Sequence, residues 1–209
     1  MRTHEKEREN NINLTPPKWF PMGRVAFFVT SNIHKFNEAR LVLAEHRVAT
    51  ALLKVKKVEV QDDSIENIAK TSALDAVKKC KLPIIVEDAG LFVEALNGFP
   101  GPYSSYFYRT IGTKGVLKLM ENVEKRDAYF QSVVAFCDPE ELPKCFHGKV
   151  EGKISLEERG SSGFGFDPIF EPSASPNKTF AEMAMAEKNK YSHRAQALRK
   201  FVKWYTSNI

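Results

Sequence analysis

An α/β fold built on a mixed sheet is predicted by three features of this sequence. Apolar, β-branched runs alternate with helix-period segments through the first half of the chain. Two long strand-like segments, AYFQSVVAFCD and KCFHGKVEGKISLEE, then follow one another. The chain closes on an amphipathic helix, SHRAQALRKFVKWY. The order β-α-β-α-β, further strands, then helix specifies a sheet that mixes parallel and antiparallel neighbours.

The first strand is VAFFVT at 25–30, rich in aromatic and β-branched side chains. SNIHKFNEARLVLAEH reads as a turn entering a helix, with Phe36, Ala39 and Leu43 at helical spacing. A second strand is expected in ALLKVKKVEV, 51–60, whose end alternates. Residues 64–80 read as a helix capped by Ser64. PIIVE and LFVEAL are expected as a strand pair, or one bent strand, around a turn at Asp88-Ala89-Gly90. GTKGVLKLME, after Ile111, suggests a short helix. Ala195, Leu198, Phe201, Val202 and Tyr205 share one face of the final helix, and Ser192 stands at its N-cap position.

The length of 209 residues suits one domain, or two lobes sharing a core. Residues 1–21 are polar and proline-broken, so they read as an extension, with the folded domain running from 22 to 209 and Met22 a candidate natural initiator. The net charge of +5 suits a polyanionic ligand, but it is spread without blocks, so ordinary solubility is the preferred explanation. No basic stripe with interleaved aromatics argues for nucleic acid. Three cysteines, at 80, 137 and 145, form no disulfide framework and point to a reducing compartment. Cys137, Cys145 and His147 lie near one another in a spacing that matches no common zinc motif. No apolar run is long enough for a membrane span, and the first residues lack a secretory signal's apolar core, so a cytoplasmic protein is expected.

Four segments carry candidate chemistry. In TSNIHKFNEAR, 30–40, a strand leads into small polar residues and a lysine at a helix start, which makes an anion site or an ordinary N-cap. In VEDAGLFVEALNGFPGPY, 86–103, neighbouring Glu87 and Asp88 point to opposite faces of a strand. One carboxylate at such a place serves as a Mg²⁺ ligand or general base; a solvated surface turn is the other reading. In GSSGFGFDPIF, 160–170, glycines permit close backbone approach, Phe164 and Phe166 offer ring faces for a flat base, and Asp167 offers an acceptor. A structural loop with core aromatics explains the same residues. In KTFAEMAMAEKNKYSHRAQAL, 178–198, Lys188, His193 and Arg194 gather donors at a helix entrance.

The order and spacing of these segments resemble the inosine triphosphate pyrophosphatase family. Its T-x-N-x-x-K opening is matched by Thr30-Ser31-Asn32-Ile33-His34-Lys35 and its E-D-S-G-L by Glu87-Asp88-Ala89-Gly90-Leu91. Its G-x-P-G-x-Y is matched by residues 98–103, and its G-F-G-Y-D-P-I-F by 163–170 with Phe166 for tyrosine. T-F-A-E-M, E-K-N and S-H-R follow at 179–183, 187–189 and 192–194. The resemblance covers nearly the whole chain from about Val25 and implies an elongated mixed sheet in two lobes around a central nucleotide cleft. It also implies cleavage of non-standard purine nucleoside triphosphates between the α- and β-phosphates, with Mg²⁺, by a homodimer. Carried over, Asp88 takes the catalytic-base and metal-associated position, and Glu59 matches, more loosely, a second metal ligand. Thr30, Ser31, Asn32 and Lys35 match the phosphate-holding positions, and Ala89 stands where a serine commonly touches substrate. Phe164, Gly165, Phe166, Asp167, Lys188, His193 and Arg194 match the nucleotide-binding positions. Ser31 replaces a glycine, and Ser105 stands where relatives often carry a basic residue. A Maf-type pyrophosphatase and a non-catalytic nucleotide sensor are the alternatives.

Overall fold

The computed structural model describes residues 24–208 except 57 and 59. The expected extension over 1–21 and the candidate metal ligand Glu59 lie outside the described residues.

Strand β1 (Val25–Val29) runs parallel to β2 (Ala49–Leu53) on one side and to β3 (Ile84–Val93) on the other. Between β1 and β2 lies α1 (Ile33–Ala44), started by Asn32, whose side chain accepts from the His34 and Lys35 amides at 2.9 and 3.1 Å. Helix α2 (Ile65–Cys80) starts where expected, with Ser64 accepting from the Asn67 amide. It ends at Lys81 in the left-handed region (φ 54°). The second strand sits earlier than its alternation suggests: β2 ends at Leu53, and the described residues from 54 to 60 add no strand. They lie along α2 instead, where Asp75 accepts from the Val58 amide (2.8 Å) and Lys79 donates to the Lys56 carbonyl (2.8 Å).

The expected turn at Asp88-Ala89-Gly90 is absent. β3 passes straight through, pairing antiparallel with β5 (Asp127–Cys137) from Ile84 opposite Cys137 to Val93 opposite Ala128. Gly90 answers a different need: a Cβ there would lie 2.3 Å from the Gly101 carbonyl oxygen of the two-residue strand β4 (Pro100–Gly101). Helix α3 (Ser104–Leu119) is longer than expected and breaks at Gly112. β6 (Lys144–Ile154) forms the antiparallel hairpin with β5, and β7 (Phe170–Pro172) edges the sheet, giving the order β2-β1-β3-β5-β6-β7. A short α4 (Met185–Tyr191) precedes α5 (His193–Asn208), whose cap Ser192 accepts from the Ala195 amide (3.2 Å).

Strand alternation divides the core. Ile85 packs with α1 and α5, on the face where Phe28, Leu43, Leu198 and Phe201 are buried. Ile84 and Val86 point the other way, to Ala69, Ala73 and Val77 of α2. Beyond Gly90, Leu91 and Val93 enter a further cluster with Phe130, Ile154, Phe166, Phe170 and Phe180. The mid-point of β3 therefore falls where these packed regions meet, and a cleft opens there. The three cysteines are free.

Candidate active site

The cleft has a volume of about 660 Å³, and every described site candidate from the sequence lines it: residues 30–32, Lys35, Asp88, Ala89, residues 164–167, Lys188, His193 and Arg194. Alternation along β3 separates the two acids as expected. Glu87 faces α1 and α5; Asp88, half-buried, faces the α2 side.

Glu87 is fully enclosed and carries a chain of ion pairs. Its carboxylate accepts from Ser132 Oγ (2.6 Å) and lies 2.9 Å from Lys35 Nζ and 3.1 Å from Arg194 Nε. Arg194 Nη1 reaches Glu38 Oε2 at 2.5 Å, and Glu38 Oε1 takes Lys188 Nζ at 2.7 Å. Lys188 also donates to Asp167 Oδ2 (2.6 Å), which accepts the Phe164 amide (2.8 Å). Three carboxylates thus face three cations, and each charge is held by at least one opposite partner. Burial alone would raise the carboxyls of Glu38 and Glu87; the opposing charges of Arg194 with Lys188, and of Arg194 with Lys35, win and hold both below the usual carboxylate range. Arg194 is held above its ordinary value because Glu87 and Glu38 outweigh its own burial.

Several sequence expectations change here. Lys35 is pinned to Glu87 by the carboxylate and by the backbone carbonyl (3.3 Å). The start of α1 is capped by Asn32, with Thr30 Oγ1 accepting the Asn32 amide (3.0 Å). Lys188 and Arg194 are not loose donors but members of the ion chain. Phe164 and Phe166 both line the cleft but differ in burial: Phe166 is buried, edge-on against Tyr108 (5.4 Å between ring centres), whereas Phe164 is half-buried. The His34 imidazole stacks on Phe164 at 5.1 Å, and Lys188 Nζ lies 4.9 Å from the ring centre. His193 is buried and stacked on Phe130 (4.6 Å), and burial holds it well below the usual imidazole value, so it is neutral. Its Nδ1 has no hydrogen-bond partner among the described residues.

Glu38 is the functional residue that sequence reasoning missed. The signal was helical spacing: Glu38 falls on the same face of α1 as Ala39 and Val42, where a lone acid demands a partner. Ser132, fully buried in β5, and Ser104, whose Oγ accepts the Leu91 amide at 2.8 Å, gave no comparable signal.

A model of the Ham1 family matches residues 26–204. The chain belongs to the Ham1 family. Curated relatives named dITP/XTP pyrophosphatase include those of Methanopyrus kandleri (47% identical) and Hyperthermus butylicus (49% identical). Each alignment spans 87% of this chain, with 96% and 95% of the relative covered. Among solved structures, a Ham1 protein from Coxiella burnetii superposes with a TM-score of 0.77 at 30% identity, over 88% of this chain and 99% of that one. The Staphylococcus aureus Ham1 protein gives 0.75 at 26% identity, over 89% and 100%.

In this Ham1 chain no group of three His, Cys, Asp or Glu side chains among the described residues converges as a metal cage. Mg²⁺ needs no such cage, since it takes one or two carboxylates and fills its shell with water and substrate phosphate. Asp88 stands on the cleft wall on the side of β3 away from the ion chain. Oxygen donors of this kind fit the ion; soft donors are absent from the described lining.

Proposed function

We propose that this chain hydrolyses non-standard purine nucleoside triphosphates, such as ITP, dITP and XTP, to the monophosphate and pyrophosphate. The observation that carries the proposal is one cleft lined together by Asp88, the lysine-bearing start of α1 and Phe164. The family membership and the names of the relatives support it. Mg²⁺, held by Asp88 and Glu59, would supply charge neutralisation at the phosphates.

The residues do the rest. Residues 30–32 and Lys35 receive the phosphates, the purine stacks on Phe164 in place of the His34 imidazole, and Asp88 accepts the proton of the attacking water. Oxygen of that water bonds to the α-phosphorus as the bridging bond to the β-phosphate breaks, and pyrophosphate departs toward Lys35. The ion chain holds this constellation: Asp167 fixes the Phe164 amide, and Glu38 fixes both Lys188 and Arg194. Neutral His193 and the guanidinium of Arg194 supply donors for the 6-oxo group of hypoxanthine or xanthine, where adenine's amino group finds none. A homodimer completes the proposal, supported by the exposed apolar side chains Phe99, Ile111 and Leu119; light scattering at assay concentration tests it.

The test is pyrophosphate release with Mg²⁺ from ITP, XTP, GTP, ATP and dTTP in parallel. Fast release from ITP and XTP, and little from GTP and ATP, is expected. ITP binding without release would leave a sensor, and preference for dTTP would overturn the base site.

A further inference from the structure

Among the described residues that line the cleft, one cation is not used by the ion chain. Lys35, Lys188 and Arg194 are each matched to Glu87, Glu38 or Asp167, so together these six side chains bring no net positive charge to a polyanion. Arg109 also lines the cleft, from the first half of α3. It is exposed, and among the described residues it makes no hydrogen bond or ion pair.

Its place on α3 says what it can reach. Arg109 follows Ser105 by one helical turn on the same face, and both line the cleft. Helical side chains lean back over the turn that precedes them, so the guanidinium overlies the turn that carries Ser105. That turn is fastened to β3 beside the reacting region: Ser104 Oγ accepts the Leu91 amide at 2.8 Å and donates to the Gly101 carbonyl at 2.7 Å. Leu91 lies on the same strand as Asp88.

We infer that Arg109 is a phosphate-binding residue, whose forked guanidinium takes the terminal phosphates of the substrate and the departing pyrophosphate. A fork of paired donors matches phosphate oxygens better than an ammonium does, and a residue with no ion-pair partner among the described residues gives up none to bind. The inference deepens the proposed reaction and rests on it for the identity of the substrate.

The test uses the full chain and inorganic pyrophosphate with Mg²⁺, measured by calorimetry and as product inhibition of ITP hydrolysis. Arg109→Ala is expected to weaken pyrophosphate binding and raise the KM for ITP about tenfold or more, the loss of a charged hydrogen bond. IMP binding is expected to stay as in the wild type, and Arg109→Lys to recover part of the loss. Adding Ser105→Arg to Arg109→Ala is expected to restore pyrophosphate binding, because the cation returns to the same face one turn earlier. Unchanged pyrophosphate binding in Arg109→Ala, or an equal loss of IMP binding, would overturn the inference. Should the wild type release no pyrophosphate from ITP, the reaction falls, yet calorimetry with pyrophosphate still decides the role of Arg109.

Discussion

Two neighbouring carboxylates in β3 take opposite roles because a strand sends them to opposite faces. Glu87 is sealed against Lys35, Arg194 and Ser132 and serves as an anchor. Asp88, half-buried in the cleft wall, is the base in the proposed reaction. Asp88→Asn keeps the shape and removes the base, so turnover of ITP is expected to fall about a hundredfold or more with the fold intact. Steady-state kinetics beside a thermal melt check this; wild-type turnover in the variant would remove Asp88 from the mechanism. Asp88 and Lys35 are legible in the sequence because each follows an apolar strand run. Glu38 is not, because the partners that explain it, Lys188 and Arg194, lie some 150 positions away in the chain.

At the scale of elements, the site depends on how closely α5 packs on the sheet. Gly148 of β6 leaves room for that approach: a Cβ there would lie 1.9 Å from the His193 carbonyl oxygen and 2.7 Å from the Ala197 amide nitrogen, both backbone atoms. Gly148→Ala must therefore push the start of α5, with His193 and Arg194, away from the cleft. A stability loss of about 1–3 kcal/mol is expected, along with a rise in KM for ITP larger than any fall in kcat, since Asp88 sits on β3. Urea denaturation and kinetics read both; an unchanged KM would separate α5 from substrate binding. Helices α2 and α5 are legible because serine caps and apolar periodicity agree. The Asp88-Ala89-Gly90 segment is misread as a turn because glycine marks a close approach as readily as a bend, and here the approaching strand is β4. Phe166 reads like Phe164 in the sequence; only the packing of Tyr108 and Phe107 assigns it to the core.

Across the whole molecule, the ion chain ties α1, β3, β5, the 164–167 loop, α4 and α5 into one unit, and two of its carboxylates, with buried His193, make stability depend on pH. The folded His193 refuses a proton that the unfolded chain accepts below the ordinary value of 6.5. Stability is therefore full above that pH and falls below it, by about 1.4 kcal/mol per pH unit for one such group. Glu38 and Glu87 have folded values below the ordinary 4.5, so their contribution is present above pH 4.5 and is lost as the pH drops further. Urea midpoints should decline between about pH 7 and 5 and then steeply below 4.5. A flat profile down to pH 5 would contradict a buried neutral His193.

Water attack at the α-phosphate is tested by turning over ITP in oxygen-18-labelled water and locating the label. Labelled IMP and unlabelled pyrophosphate are expected. Label in pyrophosphate, or release of orthophosphate in its place, would contradict it.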